Sequence, residues 1–151
     1  MRVTARVDYA VRAMLELASA PHGSVKLDRL AEAQDLPPRF LEHILTDLRR
    51  ADLVVSQRGS GGGYRLARPA PEITMADVIR AVEGPLANVQ GVRPESVAYE
   101  GVAAPLRQVW VATRAALRSV LEEVTLESVL RGDLPEVVSR LTDDPEAWAR
   151  R

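Results

Sequence analysis

The feature that most limits how this chain can fold is a glycine run, four glycines in the five positions 59–63, directly behind Arg58. Glycine brings no side chain to pack and loses much backbone freedom on folding, so helices and long strands do not continue through such a run. The flanking segments LVVSQR (53–58) and YRLAR (64–68) have the length and pattern of short strands. The sequence therefore predicts a β-hairpin with a five-residue tip.

Three helices are predicted ahead of this hairpin. Apolar residues recur at helical spacing over 7–20, and a helix of about two turns follows from Leu27. QDLPP then forms a tight connection to a third helix, from Pro38 to about Ala51, because proline suits a first helical position, where its missing N–H needs no partner. The third helix is expected to bury Leu41, Ile44, Leu45 and Leu48 and to direct Arg39, Glu42, His43, Thr46 and Arg50 outward.

The glycine run has three possible interpretations. A nucleotide phosphate loop would need a lysine and a Ser or Thr opening a helix, and a dinucleotide fingerprint would need glycine where Tyr64 stands. A second possibility is a flexible hairpin tip without a further role. The third uses the order of the elements: helix, short helix, tight turn, polar-faced helix and hairpin is the order of a winged helix-turn-helix. In that fold the third helix enters the DNA major groove, and Arg58 can insert into a narrow minor groove.

The second half of the chain is predicted to hold a connecting helix, a long loop and a dimerisation helix. Thr74 and Asp77 form a helix start, with Ile73 packing against Val78, and Gly84-Pro85 ends that helix. Residues 86–104 have no sustained period and are interpreted as a loop with a sensory role. A helix follows from Pro105 to about Val124, with an apolar stripe too long for one small domain to cover, which predicts a two-fold homodimer. Its predicted dimerisation residues are Leu106, Val109, Trp110, Thr113, Leu117, Val120, Leu121 and Val124.

Composition excludes several classes of function. The 151 residues include no cysteine and only two histidines, so disulfides, thiolate catalysis and thiolate-held metals are excluded, and we expect neither a metal nor a cofactor. No apolar run reaches the roughly 20 residues of a membrane helix, which favours a cytoplasmic protein without a membrane partner. The net charge is −1, but residues 1–70 hold 11 Lys and Arg against 8 Asp and Glu, so the first half is basic and the second acidic.

Four segments together resemble the IscR/NsrR/CymR-type (Rrf-type) family of bacterial winged-helix transcription regulators. They are YAVRAML, LAEAQDLPPRFLEHILTDLRRADLV, RGSGGGYRLAR and VTLESVL, and the resemblance runs from Met1 to about Leu130. The family implies a homodimer that binds an imperfect palindromic operator in double-stranded DNA. It implies a DNA-binding surface made of Pro38, Arg39, Phe40, Glu42, His43, Arg49, Arg50, Arg58, Gly59, Ser60 and Gly61.

Each of these residues also has a simpler interpretation. Glu42 can accept a hydrogen bond from a cytosine amino group and Arg39 can donate to guanine or phosphate, but both could equally lie on a solvated helix face. Phe40 could serve in core packing. Arg49 and Arg50 could pair with phosphates or merely complement the helix dipole.

The chain departs from the family in its predicted sensor loop. Cluster-binding members carry three cysteines before the dimerisation helix, and residues 86–104 contain none, which excludes a cysteine-held iron–sulfur cluster. We expect a small-molecule pocket here or regulation through a protein partner. The predicted pocket residues are Asp8, Arg93, Glu95, Tyr99, Glu100 and Trp110. The alternative is an ordinary polar loop lying over an aromatic core residue.

The sequence therefore predicts a mainly α-helical protein with a small β-hairpin wing. It divides into a DNA-binding winged helix-turn-helix (1–70), a connecting helix with a sensor loop (71–104), a dimerisation helix (105–124) and short C-terminal helices with a frayed tail (125–151). The predicted function is a homodimeric, sequence-specific transcriptional regulator acting as a repressor. The alternative is a winged-helix module that binds only proteins. An enzyme is the least supported, because no nucleophile and base stand in a recognisable motif.

Overall fold

The computed structural model describes residues 3–20 and 23–149, which form seven α-helices and one two-stranded antiparallel hairpin. This confirms the predicted fold class. In chain order the elements are α1 (Ala5–Ser19), α2 (Leu27–Gln34), α3 (Pro38–Arg50), β1 (Val54–Gln57), β2 (Gly63–Leu66), α4 (Met75–Glu83), α5 (Leu106–Leu121), α6 (Leu126–Arg131) and α7 (Glu136–Thr142).

Local sequence signals set the helix ends. Thr4 caps α1 by accepting a hydrogen bond from the Val7 N–H at 3.2 Å, and Pro38 takes the first position of α3 as predicted. α2 ends at Asp35, whose left-handed backbone (φ 51°) turns the chain towards α3. Thr74 and Asp77 form a reciprocal capping box at α4, with both hydrogen bonds at 3.1 Å. These caps satisfy N–H groups that the helices themselves leave without partners.

The hairpin tip has the predicted length of five residues, but it consists of residues 58–62 rather than 59–63, because Gln57 pairs with Gly63 and Arg58 therefore lies in the tip. On its other edge, Val25 and Tyr64 exchange two backbone hydrogen bonds of 2.8 Å, which adds a short third segment to the sheet. The segment that leads into α2 therefore fixes the base of the hairpin.

One hydrophobic core joins elements on both sides of residue 70. Met14 and Leu17 of α1 and Leu45 of α3 are at most 1% exposed, and Val78 of α4 and Leu126 of α6 are buried in the same cluster. The starts of α4 and α6 are also linked through their backbones, since the Leu126 N–H donates to the Ile73 carbonyl at 3.0 Å. The hairpin and α3 are thus held on a scaffold that includes α4 and α6.

The structure differs from the sequence prediction at Val124 and in the C-terminal tail. Val124 was assigned to the dimerisation surface, but α5 ends at Leu121 and Val124 is only 7% exposed, with its carbonyl accepting from the Met75 N–H at 2.8 Å. It belongs to the core of its own chain. The predicted frayed tail forms a 3-10 turn, Pro145–Trp148, and the Trp148 indole N–H donates to the Thr142 carbonyl at 2.8 Å. Arg150 and Arg151 of that tail lie outside the described residues.

Candidate nucleic-acid interface

Helix α3 has one buried face and one polar face, as its sequence predicts. Leu41, Ile44, Leu45 and Leu48 are at most 1% exposed. The residues predicted to face DNA are all exposed on the other side of the helix or at its ends: Pro38, Arg39, Phe40, Glu42, His43, Arg49 and Arg50. A helix fixed by four fully buried residues can present its outer side chains in a defined register.

Three arginines of this surface have no protein partner. In the part of the chain that the structure describes, Arg39, Arg49 and Arg58 make no side-chain hydrogen bond or ion pair. Arg50 is 3.4 Å from Asp47, with its side chain 77% exposed. Guanidinium groups stay charged at neutral pH and can donate to guanine or phosphate, so this surface is suited to an anionic polymer.

Arg6 and Thr46 adjoin this surface but were missed by the sequence reasoning. Arg6 of α1 donates a hydrogen bond to the Asp47 carboxylate, which joins the end of α3 to α1. Arg6, Thr46 and Asp47 line a groove that also contains Phe40, His43, Ile44 and Arg50. The sequence predicts for Thr46 only that it points outward. The position of Arg6 in α1 does not reveal its contact with Asp47, which lies 41 residues further along the chain.

Phe40 has a structural role as well as an exposed face. Its ring meets the Tyr9 ring edge to face, with centroids 5.8 Å apart at 88°, and it remains 41% exposed. Arg12 lies over the Tyr9 ring, 5.8 Å from its centroid, and donates to Gln34 at 3.0 Å. These contacts fix the start of α3 against α1 and α2. Phe40 can therefore serve in packing and still present an exposed face to DNA.

The four glycines of the hairpin tip are needed for different reasons. A Cβ on Gly62 would lie 2.4 Å from the Gln57 carbonyl oxygen, and one on Gly63 would lie 2.6 Å from that of Val25. Gly59 has a φ of 101°, which side chains disfavour. Gly61 is under neither constraint, since its Cβ would meet open space. Folding of the hairpin therefore explains three of the four glycines and leaves Gly61 unexplained.

Helix α5 buries none of its sixteen residues. Leu106, Val109 and Trp110 are 39%, 50% and 37% exposed, although they lie on the apolar stripe predicted for dimerisation. Thr113 is also exposed, whereas Leu117, Val120 and Leu121 are half-buried towards the rest of the chain. An apolar stripe of this length exposed to water favours association with another surface.

Of the residues predicted as a sensor pocket, one lines the cavity that lies beside the predicted sensor loop. Asp8 pairs with Arg12 one turn along α1, at 3.2 Å. Arg93 is the one member of the predicted set that lines this cavity. Its other lining residues are Arg80, Gly84, Pro85, Leu86, Arg114 and Arg118. Glu95 instead pairs with Arg114, while Tyr99, Glu100 and Trp110 do not line the cavity.

Two carboxylates, Glu122 and Glu95, accept hydrogen bonds from three of the four arginines that line this cavity. Hydrogen bonds from Arg118 and then Arg80 lower the pKa of Glu122 from its ordinary value of 4.5 to about 2. A backbone hydrogen bond and then one from Arg114 lower the pKa of Glu95. Both groups are ionised at neutral pH, so the cavity wall is built from ion pairs between α4, α5 and the loop.

The donor atoms of this chain do not fit an iron–sulfur cluster. The sequence contains no cysteine, so no thiolate can hold iron. Across residues 3–20 and 23–149, no three His, Asp or Glu side chains are grouped closely enough to hold a metal ion. No candidate metal centre can therefore be assigned in this part of the chain.

Comparison with known proteins agrees with this geometry. The sequence profile of the Rrf2 family, described as iron-dependent transcriptional regulators, matches residues 3–132. The chain belongs to the Rrf2 family. It is a DNA-binding transcriptional regulator rather than an enzyme, and the family resemblance of its sequence is confirmed.

Relatives and solved structures of this family match most of the chain. A putative HTH-type transcriptional regulator of Mycobacterium tuberculosis, Rv1287, is 53% identical over 148 residues, covering 97% of this chain and 92% of that protein. The structure of CymR, the global cysteine regulator of Bacillus subtilis, matches with a TM-score of 0.74 and 32% identity over 87% of this chain and 98% of that one. The structure of T. potens IscR matches with a TM-score of 0.68 and 32% identity, covering 100% and 93%.

Within the described ranges, no helix is both long enough and apolar enough to cross a lipid bilayer.

Proposed function

We propose that this Rrf2-family chain is a homodimeric repressor that binds an imperfect palindromic operator and carries no iron–sulfur cluster. The observation that carries the proposal is the outer face of α3, where Arg39 and Arg49 are exposed and form no hydrogen bond or ion pair with residues 3–20 and 23–149. Arg58 of the wing is likewise exposed and unpaired among these residues. The buried residues of α3 hold this face in place, and its polar groups match those of a major groove.

In this proposal, α3 reads the bases and its ends bind the backbone. Arg39 donates to guanine or phosphate, Glu42 accepts from a cytosine amino group, and His43 adds a donor or acceptor on the same face. Pro38 starts the helix at the groove edge. Arg49 and Arg50 at its far end pair with phosphates, which carry no sequence information but fix the register of the protein on the duplex.

The hairpin acts as a wing along the flanking minor groove. Arg58 extends from the start of its tip, and Gly59, Ser60 and Gly61 are all exposed there. An arginine in a narrow minor groove gains from the enhanced negative potential of that groove. The tip backbone at Gly61 can approach a sugar–phosphate edge more closely than any residue with a side chain could.

A second copy of the chain is the proposed occupant of the exposed α5 stripe. Leu106, Val109, Trp110 and Thr113, with the half-buried Leu117, Val120 and Leu121, supply the self-complementary surface that a two-fold axis requires. Two-fold pairing would place two recognition helices about 34–36 Å apart, one turn of DNA, which matches a palindromic operator. The single core that joins α1, α3 and α4 would transmit dimer geometry to both recognition helices.

The four proposed segments differ in function but are not separate folding units, because one hydrophobic core contains residues of the first, second and fourth segments. Residues 1–70 bind DNA, 71–104 connect and sense, 105–124 dimerise up to the end of α5 at Leu121, and 125–151 complete the scaffold. Control is assigned to a small-molecule effector or a regulatory protein acting on segment 71–104. The position of this segment supports that role, because it contains α4 and the loop that joins α4 to α5.

Competition binding tests the proposed function. A labelled operator duplex is first bound to the purified protein at one fixed salt concentration. Unlabelled operator or an unlabelled scrambled duplex is then added as the competitor. We expect the operator to compete strongly and the scrambled duplex weakly. Arg39→Gln should weaken operator binding by about 5- to 150-fold, equivalent to about 1–3 kcal/mol. Arg140→Gln is the matched control, because Arg140 is an exposed, unpaired arginine of α7.

Equal competition by both duplexes would contradict sequence-specific binding. If the Arg39 and Arg140 variants lost the same amount of operator affinity, α3 would not be the DNA-binding helix, because Arg39 lies on α3 and Arg140 does not. Loss of operator affinity as salt rises from about 50 to 200 mM is expected in either case, because phosphate contacts release counterions.

A further inference from the structure

The cavity beside the predicted sensor loop has an unusual charge. It has a volume of about 440 Å³ and lies between the end of α4, the start of the loop and α5. Four of its seven lining residues are arginines, Arg80, Arg93, Arg114 and Arg118, and none is acidic. Small-molecule sites typically measure about 300–1,000 Å³, so this cavity is of the right size for a metabolite.

The arginines are only partly neutralised by the protein. Glu122 accepts hydrogen bonds from both Arg80 and Arg118, and Glu95 accepts one from Arg114. Arg80 is also 4.0 Å from Asp77, but Arg68 shares that carboxylate at 3.8 Å. Arg93 forms no hydrogen bond or ion pair with the residues that the structure describes. Four cations around one cavity repel one another, and the surrounding carboxylates offset this repulsion incompletely.

We propose that this cavity binds a small anion carrying two or more negative charges on carboxylate or phosphate oxygens. Guanidinium groups cannot lose their charge at neutral pH, and their planar donors match the paired oxygens of both groups. An anion placed among the four arginines would neutralise the remaining repulsion. Arg93 is the most direct contact, because it forms no hydrogen bond or ion pair with the described residues and interacts with Glu95 only through a longer-range electrostatic attraction.

The position of the cavity gives such an anion a means of control. Arg80 belongs to α4, which packs against α1 and α3, whereas Arg114 and Arg118 belong to the exposed helix α5. A bound anion therefore bridges the scaffold of the recognition helix and the helix proposed to dimerise. This control role rests on the proposed function, whereas anion binding itself does not depend on DNA.

Calorimetric titration of the DNA-free full-length protein tests the site. The probes are pyrophosphate and citrate, each added at constant ionic strength, with sodium chloride as the control titrant. We expect one saturable site per chain for at least one probe. Binding of pyrophosphate alone identifies a phosphate-bearing ligand, and binding of citrate alone a polycarboxylate. Either result supports the proposal.

Two variants locate the site. Arg93→Gln should weaken probe binding by about tenfold or more, because it removes a full charge contact worth at least about 1.4 kcal/mol. Its melting temperature should stay unchanged, since Arg93 is exposed and forms no hydrogen bond or ion pair with the residues that the structure describes. Arg140→Gln removes the same charge from α7 and should bind the probe like the original protein. The proposal is overturned if neither probe binds at millimolar concentration, or if the Arg93 variant binds as tightly as the Arg140 variant. Neither outcome bears on operator binding, which is measured separately.

Discussion

At the scale of single residues, substitutions of two glycines in the wing allow folding and DNA binding to be tested separately. Gly63→Ala places a methyl group 2.6 Å from the Val25 carbonyl oxygen at a φ of 152°, so it should lower the melting temperature. Gly61→Ala meets open space and should leave the melting temperature unchanged, yet weaken operator binding if the tip approaches DNA closely. Thermal unfolding and operator titration of both variants check this. Equal operator affinity for the Gly61 variant would show that its backbone does not approach the duplex.

Arg58 gives a second test at this scale. Arg58→Ala should weaken operator binding by about 1–3 kcal/mol, because a cation is lost from the minor groove. Its stability should not change, since the side chain is exposed and makes no hydrogen bond or ion pair with the described residues. Titrations at fixed salt measure the change, with Arg140→Ala as the control. An unchanged affinity would remove the wing arginine from the mechanism.

Glu122 gives a prediction on pH. Arg118 and Arg80 lower its pKa from 4.5 to about 2, so the ionised carboxylate stabilises the folded protein above pH 4.5, and this contribution is lost as the pH falls towards 2. Glu122→Gln lacks the contribution at every pH. The stability difference between the two proteins, measured by urea unfolding, should therefore be largest above pH 4.5 and shrink below it. A difference that grows on acidification would contradict the two ion pairs.

At the scale of elements, α5 carries the prediction on assembly. Val109→Glu puts a charge on the exposed apolar stripe without touching the core, because Val109 is 50% exposed. We expect a folded monomer with weakened operator binding, since two linked recognition helices bind more tightly than one. Val102→Glu makes the same change at a fully exposed loop position and should stay dimeric. Sedimentation analysis measures whether each variant is a monomer or a dimer. A Val109 variant that remains dimeric would show that the dimer interface does not lie on this stripe of α5.

The elements also show how far the sequence could predict the structure. The start of α3 at Pro38, its buried face and the five-residue length of the hairpin tip were all predictable, because each depends on residues close together in the chain. The burial of Val124 was not, since it follows from backbone pairing with Met75, 49 residues earlier. The arginine cavity was missed for the same reason, because its four cations come from α4, the loop and α5.

At the scale of the whole molecule, charge and symmetry are expected to work together. The basic first half carries the unpaired arginines of α3 and the wing, while the acidic second half carries α5 and the carboxylates of the cavity. A net charge of −1 therefore does not oppose DNA binding, because Arg39, Arg49 and Arg50 of α3 are exposed together with Arg58 of the wing. Dimerisation through α5 would double this set of arginines and fix the spacing between the two sets.

Selection of genomic DNA fragments by the purified protein, followed by sequencing, tests whether the protein reads a palindromic operator as a dimer. We expect enrichment of a two-fold symmetric site whose half-sites lie about one helical turn apart, roughly 10–10.5 base pairs from centre to centre. The same selection with Arg39→Gln should lose this enrichment, and selection with Arg140→Gln should keep it. Enrichment of no common sequence at low salt, or of a site without two-fold symmetry, would contradict a dimer that reads a palindromic operator.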